Sequence, residues 1–153
     1  VFCMFCPPGE VGTDGTCSPC LPGFVPNSDR TRCYECPDGQ PSVQGECTPC
    51  VDGTFPAENR LSCLPCPPGF AGTNGLCSRC PFGFGANDDN SSCIPCPPAS
   101  MSSIGICMEC DNGTQPNATM SGCEPCPIGT AGTRGTCLQC EDGEHQDAAG
   151  TSC

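Results

Sequence analysis

Between residues 63 and 80 the chain reads Cys63-Leu-Pro-Cys66-Pro-Pro-Gly69-Phe-Ala-Gly-Thr-Asn74-Gly75-Leu-Cys77-Ser-Arg-Cys80: a CxxC, ten residues and a second CxxC. Twelve residues later the pattern restarts at Cys93. It extends in both directions without insertion or deletion, so that Cys3, Cys33, Cys63, Cys93, Cys123 and Cys153 stand 30 residues apart and no cysteine lies off the grid. A period of this length signals an array whose units bury little alone and lean on their neighbours, and an elongated rod is expected. The units are residues 3–32, 33–62, 63–92, 93–122 and 123–152; residues 1–2 end a preceding unit and Cys153 opens a sixth. With Val1 at one end and an odd cysteine at the other, a mature segment of a longer array is expected.

Composition sets the class. The 153 residues include 21 Cys, 20 Gly and 19 Pro against 7 Phe, 1 Tyr and no Trp, too few large apolar side chains for an ordinary core. Cysteine at this density marks a disulfide scaffold, which persists in an oxidising compartment; an extracellular or cell-surface location follows. In the loop-closure picture, a bridge closing about 14 residues contributes roughly 3 kcal/mol, so reduction is expected to collapse the fold. Seventeen acidic residues against five arginines give a net charge of −12, which repels phosphate backbones and anionic lipid and argues against nucleic-acid partners. No apolar run approaches the roughly 20 residues needed to span a bilayer, so no membrane insertion by this segment is expected.

Several positions recur in register with the cysteines. Proline follows the second Cys of every unit (Pro7, Pro37, Pro67, Pro97, Pro127), which suits an extended exit and forbids a helix there. Glycine stands three residues after nearly every CxxC, with Ala99 the one exception, so each unit divides into unequal halves of the form CxxCxxG plus loop. Glycine also precedes the third Cys by two; Asp14-Gly15 and Asn74-Gly75 are strong hairpin-turn signals. Ile104 before Gly105 fits a type I′ turn badly, and a turn with positive φ at the glycine alone is expected there. No stretch has a helical period. The fold class read from these features is a small disulfide-rich repeat array of loops and short β-hairpins, without helix and with little hydrophobic core. A coarser 60-residue alternation is also visible: odd units carry Gly12-Thr13, Gly72-Thr73 and Gly132-Thr133 where even units carry Ser42 and Ser102.

On the strength of CxxCPPG, a glycine-bearing loop and a second CxxC, the chain resembles the ephrin-receptor-like cysteine-rich repeats of the growth-factor-receptor cysteine-rich superfamily. Such repeats also occur in protist surface antigens and algal flagellar-hair (mastigoneme) proteins. The resemblance covers the whole chain, which departs from receptor modules in its perfect regularity. It implies pairing of first to third and second to fourth cysteine within each unit: Cys3–Cys17, Cys6–Cys20, Cys33–Cys47, Cys36–Cys50, Cys63–Cys77, Cys66–Cys80, Cys93–Cys107, Cys96–Cys110, Cys123–Cys137 and Cys126–Cys140. Cys153 is then left for the next unit. A ladder of the kind Cys6–Cys17, Cys20–Cys33 satisfies the count equally well.

The leading functional expectation is a structural segment of an extracellular fibre, filament or surface coat that self-associates and carries glycans, since a strict period keeps every contact of an assembly in register. Three sequons, at Asn90, Asn112 and Asn117, are candidate glycosylation sites. The alternative is a receptor or adhesin stalk with a protein ligand, for which Phe24, Tyr34, Phe55, Phe70, Phe82 and Phe84 are candidate contacts; the competing reading stacks them on disulfides as local mini-cores. Four-thiolate zinc sites are disfavoured because proline follows the CxxC, and a calcium site at Glu141, Asp142, Glu144 and Asp147 because the spacing matches no calcium loop. No cofactor is expected. With one histidine, His145, in an acidic turn-rich stretch and no lysine, no catalytic residues are assigned and the chain reads as a non-enzyme.

Overall fold

The computed structural model describes residues 6–153, and within them there is no helix; eighteen strands form nine two-stranded antiparallel sheets. In chain order the hairpins are β1 (Glu10–Val11) with β2 (Ser18–Pro19), β3 (Phe24–Pro26) with β4 (Cys33–Glu35), β5 (Ser42–Val43) with β6 (Glu46–Cys47), β7 (Thr54–Pro56) with β8 (Cys63–Pro65), and β9 (Phe70–Ala71) with β10 (Ser78–Arg79). There follow β11 (Phe84–Ala86) with β12 (Cys93–Pro95), β13 (Ser100–Met101) with β14 (Met108–Glu109), β15 (Thr114–Pro116) with β16 (Cys123–Pro125), and β17 (Thr130–Ala131) with β18 (Leu138–Gln139). Short hairpins with two ladder pairs alternate with longer ones with three, which are the two unequal halves of the sequence unit. Cys140–Cys153 closes a last loop, in which residues 144–146 stand where the longer hairpins have their first strand.

Each hairpin is stapled by one bridge. The ten disulfides are Cys6–Cys17, Cys20–Cys33, Cys36–Cys47, Cys50–Cys63, Cys66–Cys77, Cys80–Cys93, Cys96–Cys107, Cys110–Cys123, Cys126–Cys137 and Cys140–Cys153. This is the ladder, and it corrects the pairing implied by the resemblance: Cys3–Cys17, Cys6–Cys20, Cys33–Cys47, Cys36–Cys50, Cys63–Cys77, Cys66–Cys80, Cys93–Cys107, Cys96–Cys110, Cys123–Cys137 and Cys126–Cys140 are not formed. Cys3 itself lies outside the described residues, its expected partner Cys17 is bonded to Cys6, and Cys153 is bonded rather than left over. The cause is local. A type II turn over Pro7–Glu10, closed by the Glu10 N–H donating to Pro7 O at 3.1 Å with Gly9 at φ +84°, sends the chain out and back so that Gly12 comes opposite Cys17. Cys6 Sγ then lies 3.0 Å from where a Cβ on Gly12 would sit, and the Cα atoms of Cys6 and Cys17 are 5.6 Å apart. The two cysteines of a CxxC therefore serve successive hairpins.

Isolated two-stranded hairpins are marginal in water, and here sulfur replaces the missing core. Cys6, Cys36, Cys50, Cys66, Cys80, Cys96, Cys110 and Cys126 are all buried, each the second cysteine of its CxxC, whereas the first cysteines are half-buried or exposed. Val25, Pro41, Ala57, Ala71 and Ala131 are buried with them. Of the six candidate aromatics Phe24, Phe55 and Phe70 are half-buried and Tyr34, Phe82 and Phe84 exposed; Phe70 lies under the Arg79 guanidinium, 5.7 Å from ring centroid to Cζ.

The described residues divide into two compact units. One extends to Cys66 and takes in Gly72–Cys77 and Asp89–Ser91; the other comprises Pro67–Ala71, Ser78–Asp88 and Ser92–Cys153. The same contacts build both. In the first, the N–H groups of Gly12, Ser42 and Gly72 donate to the carbonyls of Arg30, Arg60 and Asn90 at the tip of the following hairpin; in the second, Ser102 and Gly132 donate to Met120 and Gly150. All five acceptor residues have positive φ. Hairpins two apart also touch: a Cβ on Gly39 would run into Asn74 O, and one on Gly69 into Ile104 O, a close approach that adds to the positive φ shared by every glycine after a CxxC.

Tip chemistry follows the sequence closely. Asp14-Gly15, Gln44-Gly45, Asn74-Gly75 and Arg134-Gly135 have positive φ at both residues, as a type I′ turn demands, while Ile104 does not and Gly105 alone reaches φ +79°. The odd–even alternation is expressed inside the fold: a Cβ at Gly12, Gly72 or Gly132 would strike the carbonyl four residues on, whereas Ser42 and Ser102 are accommodated and buried.

Candidate functional site

The side chains that carry interactions sit at the hairpin tips. In the longer hairpins an Asx residue caps the loop: Asn27 Oδ1 accepts from the Thr31 and Arg32 N–H groups at 2.9 and 3.0 Å, and Asn87, Asn117 and Asp147 repeat the arrangement. Asp147 Oδ1 accepts the Thr151 N–H and its Oδ2 the Thr151 hydroxyl, both at 2.7 Å, and these bonds hold its carboxyl down from the ordinary 3.8 to about 2. Asp29 is lowered by the same kind of bonds from Thr31. Ala57 occupies the capping position of the second unit, where Asn59 Oδ1 accepts the Leu61 N–H instead.

Arginines tie a hairpin to the one before it and to the one before that. Arg30 donates to Cys6 O, and Arg60 donates to Cys36 O at 3.4 Å and to Glu35 Oε1 at 2.6 Å, its stem lying across Gly23. Arg134 pairs with Glu109 at 3.0 Å from a different tip. In the last loop Gly150 replaces the arginine, and Gln146 Nε2 reaches Cys126 O at 3.4 Å in its stead. These partners were not legible in the sequence, because they depend on which hairpins stack.

Of the acidic group near the end, Asp147 is committed to its loop, and no three His, Cys, Asp or Glu side chains gather into a metal-binding group among the described residues. His145 is exposed. No helix among the described residues is long and apolar enough to cross a membrane. Ten disulfides in a chain of this size are the mark of a secreted or extracellular protein.

The outward surface recurs with the period but not identically. Tyr34, Leu64 and Ile94 occupy the middle of β4, β8 and β12 and are 52, 47 and 49 % exposed, whereas the corresponding residue of β16 is Glu124. Leu21 and Val51 are likewise exposed in the first two units, where Asp111 and Glu141 stand in the fourth and fifth. The three sequons fall at a tip (Asn90), in a type II turn (Asn112) and at a loop cap (Asn117).

No family model matches the sequence, and no curated protein is similar to it.

Proposed function

We propose that this chain is a structural segment of an extracellular fibre, filament or surface coat, working by self-association and glycan cover. The observation that carries the reading is that one set of backbone bonds is repeated at every period, from Gly12 with Arg30 to Gly132 with Gly150, on a chain with no indels. Any outward contact made by one unit is then available to the next at a fixed interval, which is what a regular assembly needs. The kinship with ephrin-receptor-like repeats and flagellar-hair proteins belongs to the same proposal.

Electron microscopy of native material before and after reduction tests it. Filaments with a repeat commensurate with one or two units, lost on reduction, are the expected result. Because the chain carries a net charge of −12, assembly should strengthen as salt rises and screens self-repulsion.

A second reading, a receptor or adhesin stalk, is favoured by one observation: the apolar position of Tyr34, Leu64 and Ile94 turns acidic at Glu124, so the early units present a surface the later ones lack. A ligand site would be confined to those early units. Dispersed single molecules at every salt concentration would favour it over the fibre.

A further inference from the structure

We infer that Asn112 is the one N-glycosylated asparagine of this chain, and that Asn90 and Asn117 stay bare although both lie in sequons. The inference rests on the extracellular reading, since the transfer of a lipid-linked oligosaccharide to an asparagine amide belongs to the secretory pathway.

The argument compares each sequon with the same position in the other units. Asn117 is the Asx cap of its loop: its Oδ1 accepts the Ser121 N–H and the Thr119 hydroxyl, each at 3.1 Å, and its Nδ2 donates to Ser121 Oγ at 3.4 Å. Asn27 and Asn87 do the same work in Asn-Ser-Asp and Asn-Asp-Asp, which are not sequons. The cap therefore explains asparagine at 117, and the nitrogen that would carry sugar already gives one of its two N–H groups to it. Asn90 sits in the left-handed region at φ +56°, where Arg30, Arg60, Met120 and Gly150 also lie. Its carbonyl accepts the Gly72 N–H, and the Asp89–Asn90 backbone packs on Gly53 so closely that a Cβ there would collide. Ser92, the hydroxyl residue of that sequon, accepts a hydrogen bond from Asn87 Nδ2 at 3.1 Å. Asparagine tolerates positive φ better than most residues, which explains its presence.

Asn112 has no such explanation. It is exposed, lies within the type II turn Asp111–Thr114, and uses only Oδ1, which accepts the Arg134 N–H at 3.1 Å. Asp52 makes the same contact to the Asn74 N–H at 3.3 Å, so the fold needs an acceptor there and not an amide. What asparagine adds over aspartate is Nδ2, on an exposed side chain and without a hydrogen bond among the described residues, two residues before Thr114, whose hydroxyl donates to Asp111 O at 2.7 Å.

The full chain, secreted from a eukaryotic host, is to be deglycosylated with an N-glycan amidase in heavy-oxygen water and mapped by mass spectrometry, since each released site becomes labelled aspartate. Label at position 112 and at neither 90 nor 117 is expected, and Asn112→Asp should remove the single glycan step on a gel while leaving the disulfides formed. Label at 90 or 117, or none anywhere in a secreted, disulfide-bonded chain, overturns the inference and leaves the extracellular reading standing. Native material whose cysteines are free thiols would sink both.

Discussion

Ser42 and Ser102 hold the same place two units apart, both are buried, and their hydroxyls have opposite fates. In the second unit Ser42 Oγ accepts the Gly23 N–H at 2.9 Å and lies 3.5 Å from Arg60 O. In the fourth, the Gly83 N–H goes to the Ser102 carbonyl at 3.2 Å, as Gly53 and Gly113 do with Gly72 and Gly132, and Ser102 Oγ is left buried with no partner among the described residues. The tips two residues on also differ. Gln44 adopts φ +52° and closes a type I′ turn with Val43 paired to Glu46, whereas β-branched Ile104 does not enter the left-handed region and its hairpin takes another path.

The largest effect should come from breaking the pair that works. Ser42→Ala orphans the Gly23 N–H and is expected to cost about 2 kcal/mol, read as lost hydrogen-exchange protection at Gly23. Ser102→Ala removes an unpaired hydroxyl at constant backbone and should stabilise by about 1 kcal/mol, so that equal losses at the two positions would refute the distinction. Ala99 sharpens the comparison from the other side of the same unit: it sits at φ +69° where every equivalent residue is glycine, and Ala99→Gly should gain about 0.5–1 kcal/mol in denaturant unfolding.

The smallest effect is electrostatic. Asp147 caps its loop as Asn117 does, but only as a carboxylate. Its pKa is depressed when folded, so the cap contributes fully above the ordinary 3.8 and is lost as pH falls through about 2. Amide exchange at Thr151 should rise over that window while Ser121, capped by an amide, holds.

Much of this was legible in the chain. Asp14-Gly15 and Asn74-Gly75 announced their turns, Ile104 announced its exception, and Pro and Gly around each CxxC ruled out helix. The disulfide pairing was not, because evenly spaced cysteines fit two schemes and only the turn that lays Cys6 over Gly12 chooses between them. The contacts of Arg60 with Glu35 and of Ser42 with Gly23 were hidden for a related reason: they join hairpins whose neighbourhood is set by stacking and not by local propensity. The proposed choice of Asn112 was not legible either, since three sequons look alike until the equivalent residues of other units are placed beside them.

Because every bridge closes its own hairpin, no covalent link spans the two residues inside a CxxC, and these dipeptides are the weak points at which one cut severs the molecule. The five arginines turn this into a fragmentation code. Cleavage after Arg30, Arg32, Arg60 or Arg134 falls inside a bridged loop and leaves the pieces tethered, while cleavage after Arg79, between Cys77 and Cys80, parts the chain. Exhaustive trypsin digestion on a denaturing, non-reducing gel should therefore yield two large fragments. First-to-third, second-to-fourth wiring would instead hold together at Arg79 and come apart near Arg30 and Arg60, so that a single lane reports how the sulfurs are joined.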